Sequence, residues 1–373
     1  MWIEELDIRN CRCIEKASIK LSPTINIFYG KNASGKSSIL EALCMLSTGR
    51  SFRTPHISDV IRYKKESIIS SALLNHGDDQ FRIGIEKSKN KTKIRINNND
   101  VFSQAELSRR LPITIIHPLS VNILTGSPVT RRTYLDWICF YLYPEFHKKL
   151  RSYNHILKQR NLCLKDVKHH YALKQWTEKL VSFQPDIIKL REQALSLLLI
   201  EFKLVNRSLF QNRHVNILSK NGFSSDVSTD DLSEKVLLDY YQKREKHDIY
   251  TKRTTAGIHL SDLKITINGS PAEISASRGE LKLLSISLYI AQNILLYRES
   301  GLKPIILIDD FTSELDETNS KKLLNFLLDI KHQIIITCLK SDDIAGLSED
   351  SYMFHVEHGE IKRQERNHIQ NKD

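Results

Sequence analysis

The sequence lacks the features of a membrane or secreted protein. None of the apolar runs in its 373 residues approaches the ~18 residues that a membrane-spanning helix requires. Residues 1–5 contain no basic segment followed by a long apolar core, so no secretory leader is expected. The six cysteines form no C-x-x-C pair and have no metal-ligand spacing, which suits a reducing compartment. We therefore expect a cytoplasmic globular protein with no membrane partner.

Acidic residues are too few to balance the basic ones. The chain has 44 Asp and Glu against 55 Lys and Arg, a formal net charge of +11. Residues 82–95 carry six basic residues and one acidic residue, and residues 131–168 carry nine basic and three acidic residues. These two segments account for the whole excess. The charge favours a polyanionic partner such as nucleic acid, and a solvated basic surface is the alternative.

The sequence does contain a complete phosphate-binding pattern, G-x-x-x-x-G-K-[ST]. A β-branched and aromatic run precedes it, and apolar residues at helical spacing follow it. Backbone N–H groups of such a loop surround phosphate oxygens, and the helix start adds partial positive charge. We expect Lys36 to reach the β- and γ-phosphates and the Ser37 hydroxyl to bind Mg²⁺. The predicted nucleotide-binding residues are Gly30, Lys31, Asn32, Ala33, Ser34, Gly35, Lys36 and Ser37.

A second chemical motif lies near the C-terminal end. The apolar run at residues 304–308 predicts a buried strand, and it ends in Asp309 and Asp310. Carboxylates at this end of a strand face the crevice in which ligands bind. Together with the phosphate loop, the pattern is typical of a Walker-B strand, whose acidic residue holds Mg²⁺. We predict that Asp309 holds the metal with Ser37 and that Asp310 orients or deprotonates the attacking water, which makes Asp310 and Lys36 the predicted catalytic residues.

Before the phosphate loop, apolar residues suggest two strands joined by residues 10–12. Arg12 in this turn either approaches the nucleotide or faces solvent, and the general exposure of arginine favours solvent. A short apolar run at residues 333–337 predicts a further strand of the sheet.

Two segments are candidates for DNA contact. Residues 81–96 alternate apolar and charged side chains, which predicts a hairpin with a basic outer face and a Lys-Asn-Lys tip. This face either contacts DNA or keeps a sheet edge soluble. From residue 131 onward the apolar spacing is helical, which predicts an all-helical insertion with basic residues between the apolar ones. The candidate DNA-contact residues are Lys93, Arg95, Arg131, Arg132, Lys148, Lys149 and Arg151.

The order of the remaining motifs resembles a known family. Residues 275–282, with the sequence SASRGELK, open a helical run, and Ser313-Glu314-Leu315-Asp316 follows the predicted Walker-B strand. This order resembles the ABC-type ATPase heads, with their signature motif, Walker B and D-loop. It is most similar to the RecF family, the gap-repair members of the group related to SMC proteins. The resemblance covers nearly the whole chain, including residues 6–12, 126–137, 157–161 and 257–262.

The resemblance implies an α/β fold: an ABC-type P-loop ATPase head formed by residues 1–119 and 251–373, with an all-helical arm at residues 120–250. It implies that Ser277 and Gly279 of one subunit close on the γ-phosphate of ATP bound to the other, with Asp316 in the D-loop. ATP and Mg²⁺ would thus support an ATP-dependent homodimer. The resemblance further implies binding to single- and double-stranded DNA at gap junctions, weak DNA-stimulated ATP hydrolysis, and help in loading recombinase with the partners RecR and RecO.

Several residues depart from the family pattern. No glutamine fits the Q-loop, and Thr337 stands at the switch position in place of histidine. The other departures are Ala33 for glycine, Glu280 for glutamine, Ala276 for leucine, Ile258 and Leu260 for a proline and a basic residue, and Leu119 for an acidic residue. We expect these departures to affect the rate of hydrolysis and the affinity of the dimer more than ATP binding.

Two alternatives stay open. The first is a non-hydrolysing, ATP-sensing DNA clamp, which the sequence does not exclude. The second is the ATPase subunit of a membrane transporter, which predicts a short stretch between the phosphate loop and the signature. Here that stretch runs from Ser37 to Ser275 and contains the basic helical insertion, which disfavours a transporter subunit.

Overall fold

The structure of the chain is a computed structural model, which describes residues 1–210, 213–224, 232–311, 315–341, 344 and 350–364. The strands are β1 (Trp2–Cys11), β2 (Ile14–Lys20), β3 (Ile25–Tyr29), β4 (Ser67–His76), β5 (Asp79–Ser88), β6 (Thr92–Ile96), β7 (Asn99–Val101), β8 (Ile113–Ile116), β9 (Val215–Lys220), β10 (Asp262–Ile267), β11 (Ser270–Pro271), β12 (Ile305–Ile308), β13 (Ile334–Cys338), β14 (Tyr352–Glu357) and β15 (Glu360–Gln364). The helices are α1 (Lys36–Thr48), α2 (Ile57–Val60), α3 (Gln104–Arg110), α4 (Asn122–Thr125), α5 (Pro128–Leu142), α6 (Phe146–Lys165), α7 (Leu173–Val181), α8 (Gln184–Leu209), α9 (Glu234–Thr251), α10 (Ala272–Ser275), α11 (Arg278–Ser300) and α12 (Glu317–Asp329). Short 3-10 helices lie at Pro118–Val121, Val167–Ala172 and Ile258–Leu260.

The chain forms two compact units. One contains Met1–Ser120 and Lys282–Asp373, and the other contains Val121–Leu281. We call the first unit the head and the second unit the arm. The head is assembled from both ends of the chain, as the expected fold class requires.

A mostly parallel sheet positions the predicted chemical motifs in the head. Its strand order is β15-β14-β3-β13-β12-β8, and β3, β13, β12 and β8 pair in parallel. All residues of β3, β12 and β13 are buried, which explains why these strands are nearly continuous apolar runs. Because parallel strands end at the same edge of a sheet, the loops after β3, β13 and β12 meet there.

An antiparallel sheet forms the second layer of the head. Its order is β2-β1-β4-β5-β6-β7, and Ile83 and Ile85 of β5 lie opposite Ile96 and Ile94 of β6. The expected hairpin is therefore present, with residues 89–91 at its tip. Apolar residues of α1, of this sheet and of the parallel sheet form one buried cluster, so α1 is held from both layers.

The arm is mainly helical, but it also contains an antiparallel sheet of order β11-β10-β9. Ile217 of β9 is buried opposite Ile265 of β10. This differs from the all-helical arm of the sequence analysis, because a six-residue strand with one buried side chain produces little period-two signal. The arm unit extends to Leu281, and the pairing of β10 with β9 lies within it, whereas the predicted boundary falls after residue 250.

A buried ion pair lies inside the arm. Nη1 of Arg160 on α6 is 2.8 Å from Oδ2 of Asp248 on α9, and both side chains are at most 1% exposed. Arg160 also donates to the hydroxyls of Thr177 and Thr254, and its guanidinium lies over the ring of Tyr241. The pair therefore joins three helices and the segment after α9.

Among the described residues, no helix has the length and apolar character needed to cross a membrane.

Candidate nucleotide site and nucleic-acid surfaces

The phosphate loop joins β3 to α1, and its glycines occupy positions that exclude a side chain. Gly30 has a φ of 152°, and a Cβ there would lie 2.2 Å from the carbonyl oxygen of Val356. Gly35 has a φ of 117°, immediately before α1, and a Cβ there would lie 2.9 Å from Sγ of Cys13. Ala33 adopts a φ of 63°, a left-handed conformation that costs an L-residue about 1–2 kcal/mol. The loop thus has the backbone of a phosphate cradle, with some strain at the position where the family has glycine.

Lys36 is the first residue of α1, and its side chain folds back over the loop. Its Nζ donates to the carbonyl oxygens of Gly30 and Lys31, at 2.6 and 2.8 Å. Burial is the main reason that the pKa of Lys36 lies below its usual value, although nearby Asp309 and Asp310 oppose the shift. The ammonium group therefore lies at the mouth of the cradle, where phosphate oxygens can replace the carbonyl oxygens as its partners.

Three elements meet at Asp309. The hydroxyl of Ser37 on α1 donates to Oδ1 of Asp309 at 2.8 Å, and the hydroxyl of Thr337 on β13 donates to the same oxygen at 2.7 Å. The Thr337 hydroxyl in turn accepts from the backbone N–H of Asp310 at 2.9 Å. A serine hydroxyl and a carboxylate are hard oxygen ligands of the kind that Mg²⁺ prefers, so Ser37 and Asp309 fit this ion.

Asp310 adopts a φ of 57°, a left-handed conformation in which aspartate is several-fold enriched. Its backbone is fixed by the Thr337 hydroxyl, and the residue lines the same cleft as Lys36 and Ser37. The structure thus brings together the residues that the sequence analysis assigned to the phosphates, the metal and the attacking water.

The cleft at this edge of the sheet has a volume of about 500 Å³. Lys36, Ser37, Asp309 and Asp310 line it. The other lining residues are Arg12, Cys13, Asn32, Ala33, Ser34, Gly35, Ser38, Arg53, Pro118, Thr337 and Leu339. The hydroxyl of Ser34 is buried and has no hydrogen-bond partner among the described residues. A buried polar group without a partner is costly, which points to a ligand that supplies one here.

Arg12 lines this cleft rather than facing only solvent, contrary to the position that the sequence analysis favoured. Its Nε and Nη2 donate to the two carboxylate oxygens of Glu41, both at 2.8 Å, and the Glu41 side chain is fully buried. The hydrogen bond with Glu41 is the largest cause of the raised pKa of Arg12. Glu41 therefore fixes the orientation of the Arg12 guanidinium, which places a permanent positive charge at the phosphate cleft.

His117, a residue without a role in the predicted site, directly follows β8. Its ring centroid lies 5.2 Å from that of Phe52, and its backbone N–H donates to the hydroxyl of Ser120. Burial lowers the pKa of His117, and Asp309 opposes the shift. No motif marks a single histidine after a short strand, so no sequence signal was present to identify it.

The signature and D-loop residues lie at helix starts. Ser277 and Gly279 lie at the beginning of α11, where Ser277 is exposed. Asp316 accepts hydrogen bonds from the backbone N–H and the side-chain amide of Asn319, both at 2.7 Å, and so caps α12. Ser313 and Glu314 lie outside the described residues.

Two of the basic side chains of the hairpin have acidic partners. Arg82 pairs with Glu5 and Asp7, each at 2.9 Å, and Arg95 pairs with Asp100 at 2.9 Å. Lys93 is only partly exposed and lies opposite Glu86. The exposed cations of this segment include Lys89 and Lys91 at the tip. The tip is therefore the better candidate for phosphate contact.

In the arm, two of the candidate DNA-contact residues have partners within the chain. Arg131 binds both carboxylate oxygens of Asp262, at 2.6 and 3.1 Å, and Arg132 donates to the carbonyl oxygen of Ser261 at 2.6 Å. Both arginines thus have partners within the arm, and their contact with DNA stays a prediction.

The other three basic candidates of the arm lie on α6. Lys149 pairs with Asp186, whereas Lys148 and Arg151 are exposed. The exposed positive charge of this patch is therefore carried by Lys148 and Arg151.

The phosphate loop after β3, with the Walker-B carboxylate two strands away, defines an ABC-type P-loop ATPase head. The family model described as "RecF/RecN/SMC N terminal domain" matches residues 2–362. The chain is 33% identical over 363 residues to the "DNA replication and repair protein RecF" of Shigella boydii serotype 4 (strain Sb227) and to that of Escherichia coli (strain K12 / DH10B), covering 97% of this chain and 99% of each relative. The chain belongs to the RecF family.

Solved structures agree with this assignment. The chain has a TM-score of 0.87 and 28% identity to a structure described as "the recombination mediator protein RecF-ATP in RecFOR pathway", with 98% of both chains covered. An Smc head bound to the C-winged helix domain of ScpA has a TM-score of 0.59 and 15% identity, with 98% of this chain and 97% of that chain covered. This second likeness concerns the fold alone.

Proposed function

We propose that the protein binds ATP with Mg²⁺ in the cleft of the head and uses it for ATP-dependent DNA binding in recombinational repair and replication. The observation that carries the proposal is the contact of Asp309 with Ser37 at 2.8 Å, because it joins a Walker-B carboxylate to a phosphate loop. Family membership supports it, since the relatives are named DNA replication and repair proteins. A similar structure is described with ATP.

Within the cleft, each residue has a distinct role. Lys36 exchanges the two loop carbonyls for β- and γ-phosphate oxygens, and Arg12, held by Glu41, adds a second positive charge. Ser37 and Asp309 would hold Mg²⁺, which neutralises charge on the phosphates. Asp310 orients or deprotonates the water that attacks the γ-phosphate.

ATP joins two copies of the chain in this proposal. Ser277 and Gly279 of one copy receive the γ-phosphate bound by the other, with Asp316 in the adjoining D-loop. Sedimentation with and without ATP tests the pairing, and Ser277→Arg should abolish it by steric clash while ATP binding is retained. Ser196→Arg, at an exposed serine of α8, is the matched control. A mutant dimer as stable as the wild-type dimer would refute the role of the signature.

The DNA substrate in this proposal is a single-strand gap or a single-strand/double-strand junction. Contacts are directed mostly to phosphates, because the exposed basic residues offer charge without an evident base-reading motif. RecR and RecO are the proposed partners in helping to load recombinase, and the similar ATP-bound structure is described as part of the RecFOR pathway. Sedimentation with gapped duplex DNA and each partner tests these contacts.

Slow hydrolysis stimulated by DNA completes the proposal. Thr337 stands where the family has a histidine, and a threonine hydroxyl accepts hydrogen bonds but does not act as a base at neutral pH. This observation keeps a non-hydrolysing, ATP-sensing clamp as the second candidate. Phosphate release measured with and without gapped DNA separates the two, since a clamp releases none beyond the rate of an Asp310→Asn control.

A further inference from the structure

Ser277 and Glu280 exchange hydrogen bonds at the start of α11. The backbone N–H of Ser277 donates to Oε2 of Glu280 at 2.8 Å, and the backbone N–H of Glu280 donates to Oγ of Ser277 at 3.3 Å. This reciprocal arrangement is a capping box. It uses the Ser277 hydroxyl as an acceptor, so the hydroxyl proton remains a donor for a further group.

Glu280 has a second partner across the arm. Nη2 of Arg213 donates to its other carboxylate oxygen, Oε1, at 2.6 Å. The pKa of Glu280 is lowered, first by the backbone N–H of Ser277 and also by Arg213. Glu280 is therefore ionised at neutral pH, and Arg213 balances its charge.

The charge of Glu280 is unfavourable for the proposed function. In ATP-driven pairing, Ser277 receives a γ-phosphate, which is negatively charged. The carboxylate of Glu280 accepts a hydrogen bond from the backbone N–H of Ser277. Its negative charge therefore repels a phosphate bound at Ser277. The family pattern has a neutral glutamine at this position, which creates no such repulsion. Glu280 thus requires a neighbouring cation if the signature is to accept phosphate.

We infer that Arg213 is a positioning residue of the signature: it cancels the charge of Glu280 and thereby lets Ser277 and Gly279 accept the γ-phosphate of a second copy. The inference rests on the proposed ATP-driven pairing and deepens it.

A purely structural role for the pair makes a different prediction. Arg213 and Glu280 are 41% and 30% exposed, and ion pairs at such positions contribute little to folding stability. If the pair only supported the start of α11, removing Arg213 would lower the melting temperature slightly and leave ATP-dependent pairing unchanged.

The test uses the full chain with Arg213→Gln, Glu280→Gln and both substitutions together. Glutamine at position 280 keeps the capping-box hydrogen bond and removes the charge. The dimerisation constant is measured by sedimentation with ATP and Mg²⁺, and ATP affinity is measured separately by titration. Lys243→Gln is the matched control, because Lys243 forms an exposed ion pair with Asp239 on α9 of the same unit.

We expect Arg213→Gln to weaken ATP-dependent dimerisation roughly tenfold or more, since like charges are then juxtaposed at the interface. The double variant should recover to within about threefold of the wild type, because the repelling charge is gone. ATP affinity and the Lys243→Gln control should not change. The defect of Arg213→Gln should shrink as salt is raised, which separates charge repulsion from misfolding.

Four outcomes would contradict the inference. Unchanged dimerisation of Arg213→Gln beside an ATP-dependent wild-type dimer would overturn the role of Arg213 alone. A double variant as weak as Arg213→Gln, or a defect that is independent of salt, would do the same. A wild-type protein that does not pair with ATP would overturn the proposed pairing as well.

Discussion

The hydroxyl of Ser37 donates a hydrogen bond to Oδ1 of Asp309 over 2.8 Å, although 272 positions separate the two residues in the sequence. The contact forms because β3 and β12 lie on either side of β13 in one parallel sheet and end at the same edge. Thr337, at the end of β13, bonds the same oxygen. The predicted Mg²⁺ site therefore forms only when both ends of the chain fold together into the head.

Lys36→Ala should weaken ATP binding by about a hundredfold or more, because it removes the ammonium group at the mouth of the phosphate cradle. Titration with a fluorescent ATP analogue measures the loss. Lys321→Ala, which removes an exposed cation of α12, is the control and should bind normally. Wild-type affinity in Lys36→Ala would show that the loop is not the nucleotide site.

Asp310→Asn should separate ATP binding from hydrolysis. The amide keeps a hydrogen-bonding group at this position, but it is not a base, so phosphate release should fall about a hundredfold. ATP should still bind and drive pairing, which leaves the dimer trapped. Single-turnover phosphate release and sedimentation on one sample measure both properties, and hydrolysis at the wild-type rate would disprove the role of Asp310.

Thr337→Val should raise the Mg²⁺ concentration that supports hydrolysis, because it removes the donor that holds Oδ1 of Asp309 and the acceptor for the Asp310 backbone. We expect a shift of about tenfold or more, the range for lost supporting contacts at metal sites. Thr337→Ser retains the hydroxyl and should behave like the wild type. If Thr337→Val and Thr337→Ser required the same Mg²⁺ concentration, the Thr337 hydroxyl would have no role in Mg²⁺ binding.

The nucleotide motifs were predictable because each is local in sequence. The phosphate loop is one continuous pattern, and Asp309 directly follows a fully buried apolar strand. The phosphate loop and Asp309 come together because parallel strands end at the same edge of a sheet. The hairpin was predictable in the same way, because its side chains alternate with period two.

Other features depend on contacts between distant segments. The pairing of Arg12 with Glu41 joins a turn to a helix 29 positions away, and the orientation of that helix is not encoded in the turn. Likewise, the ion pair of Arg131 with Asp262 spans 131 positions, so the sequence around Arg131 does not show that its charge already has a partner. Composition predicts the total charge, but only the fold shows which charges are already paired.

Asp248→Asn should destabilise the arm by about 3–5 kcal/mol, because it leaves the buried guanidinium of Arg160 without its counter-charge. Urea unfolding followed by circular dichroism measures the change. Asp239→Asn removes the acidic partner of an exposed pair on the same helix and should cost only about 0–1 kcal/mol. Equal effects of the two substitutions would show that burial of the Arg160 pair is not what makes it important.

The last prediction concerns the basic surfaces and decides whether the net charge of +11 serves DNA binding. Two double variants are compared with one control of equal charge change. The variants are Lys148→Glu with Arg151→Glu on α6, Lys89→Glu with Lys91→Glu at the hairpin tip, and the control Lys321→Glu with Lys322→Glu on α12. Lys149 and Arg95 are left unchanged because they pair with Asp186 and Asp100.

Each lost phosphate contact should flatten the slope of log K against log salt by about 0.7–0.9, so a double variant that removes two contacts flattens it by roughly 1.4–1.8. Binding to gapped duplex DNA is measured by fluorescence anisotropy across a salt series, with ATP affinity as a check on the head. The control should keep the wild-type slope, because a change in overall charge alone does not remove a specific contact. If both test variants match the control, these patches are solvated surface, and the DNA contacts lie on other residues of the chain.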